Sequence, residues 1–322
     1  MKVMFTADLH IKIGQKSVPR DWARNRYKIL FSELVRVKSE YSVDCEVHGG
    51  DIFDKLPNLE ELGIYLGYLA GQENPIYIFD GNHEATKKGH TFLSLLEGVL
   101  ASINSDISLI TDYHFATDEF PFDVIPYCRL KHFEKNPRTF GSEAYCLMTH
   151  VRGEIPPHVT PEVDLDIFKN WDVVFAGDLH SRSNAQRNIV YPGSPCTTSF
   201  HREEVSNGVF IIDTDTWSWE WVEIKVPQLI RKTVETEEEI VRTHPHHTIY
   251  ELKGDAVDLA KVSKDIDLLD KKLIKHDSKS TLQLKGMTGR QELELYLREI
   301  VKLDENKLEK ALRFYDDYIK KT

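Results

Sequence analysis

Short apolar runs alternate with amphipathic stretches along the first two hundred residues, the pattern of an α/β chain. Val3-Met4-Phe5-Thr6-Ala7 is too short for a helix and reads as a buried strand. Between Tyr27 and Lys38, the positions Tyr27, Leu30, Leu34 and Val37 recur at helical spacing and predict a helix with one apolar face. The same reading predicts a strand at Cys45–His48, a helix at Leu59–Leu69, and strands at Ile76–Phe79, Phe122–Ile125, Tyr145–Met148, Val173–Phe175 and Ile189–Tyr191. Gly208–Ile212 and Trp217–Val226, separated by an Asp/Thr turn, predict a hairpin.

The pattern changes near Pro227. Beyond it, strands at Thr248–Leu252 and Thr281–Leu284 flank a helix from Val257 to Lys272, a small α/β unit. From Gly289 two helices follow, one lined by Leu293, Leu297 and Ile300, the other by Leu308, Leu312, Tyr315 and Ile319, with Asp304 as N-cap between them. The expected division is therefore 1–227, 228–288 and 289–322. The last helix also carries Ala311, Phe314 and Tyr318 on other faces, which suits either a partner surface or ordinary helix-hairpin packing.

Length agrees with this division: 322 residues at about 150 per domain give roughly two domains. No apolar run approaches the ~18 residues of a membrane helix, and the N-terminal strand runs into Asp8 instead of a cleavable apolar segment. Four cysteines (Cys45, Cys128, Cys146 and Cys196) stand far apart without a C-x-x-C, as free thiols in a reducing, cytoplasmic compartment would. The net charge of −11 argues against a surface that coats nucleic acid throughout, yet leaves room for a local basic face.

Chemistry enters at the ends of five strands. They run into Asp8-Leu9-His10, Gly50-Asp51-Ile52-Phe53-Asp54, Gly81-Asn82-His83-Glu84, Thr149-His150, and Gly177-Asp178-Leu179-His180. Loops at the carboxyl ends of strands in an α/β sheet converge on one crevice, so Asp8, His10, Asp51, Asn82, His150, Asp178 and His180 can meet around one point. Two divalent cations ~3.5–4 Å apart need a bridging carboxylate with oxygen and imidazole donors, and such a pair clamps a phosphoryl group undergoing in-line displacement. Each piece alone has a plainer reading: a solvated turn, a helix N-cap at Asp51 or Asp54, a core histidine at His150. Five in succession, each directly after a strand, are not explained by capping and turns.

These motifs resemble the calcineurin-like metallophosphoesterase signature over about residues 1–225. Gly81-Asn82-His83-Glu84 followed by Tyr191-Pro192-Gly193-Ser194-Pro195 is similar more specifically to SbcD-type DNA repair exonucleases, including their tailed-phage relatives. The resemblance implies a two-layered β-sandwich flanked by helices (α/β), a small α/β capping domain that contacts DNA, and C-terminal helices that dock on an SbcC-type ATPase. It implies that Asp8, His10, Asp51 and His180 hold one metal ion, and that Asp51 bridges to a second held by Asn82, His150 and Asp178. The ions expected are two Mn²⁺. His83 is implied to be the catalytic acid that contacts the phosphate. Many relatives carry Gly-His-x-His where this chain has Gly177-Asp178-Leu179-His180. Asp54 falls at a phosphate-facing or supporting position.

The implied activity is 3′–5′ exonuclease on duplex DNA and endonuclease on single strands, in end processing, recombination or repair. The partners implied are DNA and the ATPase, with a homodimer open, no membrane, and the host cytoplasm as setting for a phage-encoded chain. Lys12, Lys16, Arg20, Lys87, Lys88, Arg129 and Lys131 adjoin the metal loops in sequence and are candidate DNA contacts. Trp217, Trp219 and Trp221 offer a stacking face or a packed sandwich face. His244, His246 and His247 read as a surface loop more readily than as a metal tract. Two other functions fit the same residues: a phosphoesterase acting on a small phosphodiester, nucleotide or phosphoprotein, and a non-catalytic DNA-end or ATPase scaffold.

Overall fold

The computed structural model describes residues 1–85, 91–136, 145–262, 268–274, 284 and 286–319. The chain runs β1 (Lys2–Thr6), α1 (Arg20–Tyr41), β2 (Cys45–Gly49), α2 (Leu59–Leu69), β3 (Ile76–Phe79), α3 (Glu97–Ile103), β4 (Ile107–Ile110), β5 (Phe122–Ile125), α4 (Tyr127–Lys135), β6 (Cys146–His150), β7 (Val173–Gly177), β8 (Ile189–Val190), β9 (Asn207–Asp213) and β10 (Ser218–Ile224). Two sheets form, ordered β10-β9-β1-β2-β3-β4 and β5-β6-β7-β8. Every pairing is parallel except those made by β9, which closes the first sheet as a hairpin with β10.

Period-two alternation sorts side chains to opposite faces of each strand. Val3, Phe5, Val47 and Phe79 of the first sheet meet Phe122, Val124, Met148 and Phe175 of the second in one buried cluster. On the outer face of the first sheet, Met4, Ile76 and Ile78 pack under Leu30, Leu34 and Val37 of α1 and Tyr65 and Leu69 of α2. Leu147 and Val174 pack under Leu130 and Phe133 of α4 on the outer face of the second. The result is the expected sandwich flanked by helices. It fixes the carboxyl ends of β1, β2 and β3, and of β6 and β7, as neighbouring parallel strand ends.

After Pro227 come β11 (Leu229–Val234), β12 (His247–Gly254), α5 (Ala256–Lys261), β13 (Leu269–Ile274), α6 (Gly289–Glu299) and α7 (Glu305–Ile319). The expected helix to Lys272 is corrected: α5 stops at Lys261, and residues 269–274 form a third strand in the order β11-β12-β13. Leu268 has left-handed φ, 74°, and its carbonyl accepts from Tyr250 N–H at 2.8 Å. Pairing beside β12 therefore satisfies backbone that a longer helix would have taken. The strand expected at 281–284 lies outside the described residues apart from Leu284. By contacts the chain forms two compact units, Met1–Leu252 with Ser263–Lys272, and Lys253–Val262 with Leu273–Thr322. In the second unit α6 and α7 pack as a hairpin, with Leu308 and Leu312 buried, Arg290 paired to Asp316 at 2.9 Å, and Asp304 capping α7 through Lys307 N–H at 3.0 Å. Phe314 and Tyr318 remain exposed. Among the described residues no helix is long and apolar enough to cross a membrane.

The tryptophan stripe packs in part, with Trp217 and Trp221 half-buried and Trp219 exposed. Trp217, at φ 52°, lies before β10 and sits against Phe122 and Tyr145; Trp219 meets Phe175; Trp221 donates to the Pro192 carbonyl at 2.9 Å. In the histidine tract, His246 Nδ1 accepts from Gln228 N–H and His247 Nε2 bonds the Ser17 carbonyl. The two rings are committed to separate backbone partners.

Candidate dinuclear metal centre

Each metal-ligand type arrives where a strand ends and the backbone turns sharply. Asp8 (φ 58°), His10 (φ 42°), Asp51 (φ 51°) and Asp178 (φ 98°) all lie at positive φ, a conformation that costs non-glycine residues energy and gathers at functional sites. The strain is held by cross-loop bonds: Asp8 N–H to the Gly50 carbonyl at 3.0 Å, His10 N–H to the Asp51 carbonyl at 2.9 Å, and Asp178 N–H to Asp8 Oδ1 at 3.1 Å. Glycine is required at 81, where a Cβ would lie 2.2 Å from Asp51 Oδ1.

Asp51 Oδ2 is the centre. It lies 3.5 Å from His10 Nε2, 3.5 Å from His150 Nε2 and 3.8 Å from His83 Nε2. Toward one side, Asp8 Oδ1 is 3.9 Å from both His10 Nε2 and His180 Nε2, and those two nitrogens are 3.1 Å apart. Toward the other, the Asn82 amide oxygen sits 3.1 Å from each of Asp51 Oδ2, His150 Nε2 and Asp178 Oδ1. Three overlapping triads result, each with donor atoms within 4.8 Å of one another: Asp8/His10/His180, His10/Asp51/His83 and Asp8/Asp51/His150. All seven residues singled out as ligands are brought together, with His83 at their edge.

The donor set fits divalent cations. Burial pushes the His10 imidazole down to about 3 and lowers His180 as well, so both present lone pairs at neutral pH. His150 Nδ1 bonds the Gly49 carbonyl at 2.8 Å, which aims Nε2 into the cluster. The Asn82 amide oxygen, Asp51 Oδ2, His150 Nε2 and Asp178 Oδ1 thus converge on one point, an arrangement a cation satisfies and that, without one, the amide nitrogen of Asn82 or a proton on His150 satisfies instead. Burial works against charge on Asp51, but His150, His10 and His83 outweigh it and hold that carboxyl well below its ordinary range. Burial, with Asp51 and Asp178 beside it, drives Asp8 well above. His150 is opposed by burial yet pushed well above its ordinary value by Asp51, Asp8 and Asp178. The cluster wants positive charge, and a proton on His150 is the substitute available without a metal.

Supporting residues come from elements that motif reading left without a role. Glu84 is buried and its carboxylate accepts from the N–H groups of Asp51, Phe53 and Gly81 at 2.8, 3.0 and 2.9 Å; burial lifts it to about 8. Thr198 Oγ1 bonds His180 Nδ1 at 3.0 Å, orienting the ring, and Ser194 donates to the Asp8 carbonyl at 2.7 Å. Both lie in or beside the Tyr-Pro-Gly-Ser-Pro run, a signal present in the sequence but silent about partners. Arg152 pairs with Asp178 and carries no motif at all.

His83 is a third exposed. Its N–H donates to Asp51 Oδ1 at 2.9 Å and its Nδ1–H donates to the Asp54 carbonyl, leaving Nε2 toward the cleft. The Asp54 carboxylate pairs with Lys12 at 2.7 Å. Of the candidate DNA contacts, Lys12 therefore faces Asp54, Arg20 faces Glu60 at 2.6 Å and Arg129 faces Asp112 at 3.2 Å, while Lys16 and Lys131 are exposed. Lys87 and Lys88 lie outside the described residues.

A sandwich with this cluster at its strand ends defines a metallophosphoesterase, and the chain belongs to the calcineurin-like phosphoesterase family, whose signature matches residues 1–269. It is similar to the probable exonuclease subunit 1 of Escherichia phage T5, 40% identical over 331 residues that cover 99% of each chain. It is 24% identical over 219 residues to the DNA double-strand break repair protein Mre11 of Methanosarcina mazei, covering 63% of this chain and 35% of that protein. Among solved structures, an archaeal phosphodiesterase aligns at 13% identity and a TM-score of 0.41, over 70% of this chain and 100% of that one.

Proposed function

We propose that this chain is the metal-dependent nuclease subunit of a DNA-processing exonuclease, hydrolysing phosphodiester bonds with two Mn²⁺ ions. The observation that carries the reading is the meeting of Asp8, His10, Asp51, Asn82, His150, Asp178 and His180 around the single oxygen Asp51 Oδ2. Likeness to a phage exonuclease subunit over the whole chain supports DNA as the substrate. Those seven residues would hold the cations, which would supply Lewis acidity toward the phosphate and a nucleophilic water at neutral pH. Asp51, between His10 and His150, would be shared by the two positions. His150 and His180 are oriented by Gly49 and Thr198, so their donor atoms need no rearrangement when substrate arrives. With Nδ1–H held by the Asp54 carbonyl, His83 turns Nε2 toward the phosphate position, where a proton carried on Nε2 would pass to the departing 3′ oxygen.

The partner is proposed to be an SbcC-type ATPase docked on residues 289–322, and the three parts 1–227, 228–288 and 289–322 are proposed as nuclease, DNA-contacting cap and docking segment. Exposed Phe314 and Tyr318 on α7 support that surface. The test compares linear duplex DNA, single-stranded DNA and bis(p-nitrophenyl) phosphate under Mn²⁺. Mn²⁺-dependent release of nucleotides from DNA is expected; hydrolysis of the small diester with intact DNA would replace the nuclease reading by that of a small-molecule phosphodiesterase.

A further inference from the structure

Arg152 follows β6 by two residues, and its guanidinium meets Asp178 at two points: Nε to Oδ2 at 3.1 Å and Nη2 to Oδ1 at 3.2 Å. Asp178 Oδ1 is also the oxygen that lies 3.1 Å from the Asn82 amide and 3.9 Å from His150 Nε2. One oxygen therefore serves an arginine on one side and the second cation position on the other. The Asp178 side chain is 6% exposed and that of Arg152 is 42% exposed, so the pair joins a buried carboxylate of the centre to a partly solvent-exposed cation. Among the described residues no other Lys or Arg pairs with Asp8, Asp51 or Asp178.

Planar guanidinium and carboxylate fix each other's orientation. The pair also removes one negative charge from a centre built on three carboxylates, and this has two consequences of opposite sign. A fixed positive charge on Asp178 competes with a cation for the same oxygen. Only two of the five guanidinium N–H groups are needed for Asp178, and the side chain is partly exposed, so the remainder are open to an anionic group beside the centre. We propose that Arg152 is a positioning residue whose charge, paired to Asp178, holds the second cation position to moderate affinity and separately adds to the attraction for the phosphate. This rests on the dinuclear reading above.

Calorimetry tests it in two stages: Mn²⁺ into metal-free protein, then inorganic phosphate into Mn²⁺-loaded protein. In R152A, the weaker Mn²⁺ site is expected to tighten about tenfold and phosphate to weaken about tenfold, from removal of one nearby charge. Asp178→His, which supplies a neutral nitrogen donor, is expected to shift both the other way. The double variant D178H/R152A is expected to return both to within about threefold of the parent chain. R152Q keeps a polar stem without the charge and is expected to follow R152A in sign. Loss of both affinities in R152A and R152Q, or no change in either, would overturn the proposal and leave Arg152 a packing residue. A parent chain that binds no Mn²⁺ would overturn the dinuclear reading itself.

Discussion

The backbone N–H of Asp51 donates to the carboxylate of Glu84, 2.8 Å away, across 33 positions of sequence. The same carboxylate takes the N–H groups of Phe53 and Gly81, so one buried side chain ties the loop after β2 to the loop after β3. Replacing Glu84 by Ala leaves three buried donors without an acceptor, each worth about 1–3 kcal/mol. Chemical denaturation is expected to show a loss of several kcal/mol, on the order of 3 or more, together with a fall in Mn²⁺ affinity as Asp51 loses its position. Stability equal to the parent chain would show that water can replace the carboxylate.

Asp51 belongs to two of the three donor triads and lies 3.5 Å from a histidine of each half-site. Asp51→Asn is therefore expected to abolish both Mn²⁺ sites in a calorimetric titration, whereas His180→Ala is expected to remove one. Retention of one full-affinity site in Asp51→Asn would mean that the two positions do not share this carboxylate.

His83 stands at the edge of the cluster with Nε2 toward the cleft. His83→Ala is expected to keep Mn²⁺ stoichiometry while cleavage of DNA falls about 10²–10⁴-fold, the usual yield of a positioned general acid. Cleavage at the parent rate would remove His83 from the mechanism.

A second buried polar cluster lies under α1 and α2. Glu46 on β2 bonds Lys38 at 2.8 Å, His48 at 2.8 Å and the Tyr68 hydroxyl at 2.7 Å. Burial alone would raise Glu46, but His48 and Lys38 prevail and hold it at about 2 against an ordinary 4.5. A depressed folded-state pKa contributes stability that is complete above about pH 4.5 and disappears as pH falls through about 2. The contribution is on the order of 3 kcal/mol. Glu46→Gln is expected to lower neutral-pH stability by a similar amount and to flatten the acid limb between pH 4.5 and 2 in urea titrations. An unchanged acid limb would assign acid unfolding to other carboxylates.

Local periodicity carried most of the architecture because burying one face of a short segment is a property of that segment. Strands such as Ile76–Phe79 and the helix Leu59–Leu69 occur where expected. Residues 269–274 form a strand although Leu269 and Leu273 stand four apart, a helical spacing, because pairing with β12 is a long-range choice that local spacing does not encode.

The sequence by itself determined the class of fold, the strand ends that bear Asp, Asn and His, and the family to which such an order belongs, since each follows from residues close together in the chain. Only the tertiary structure decided that Asp51 Oδ2 is the common centre, that Glu84 and Thr198 hold the donors, and that Arg152 shares an oxygen of Asp178. Those relationships join separate loops, and their distances are set by how two sheets pack, which no local spacing encodes.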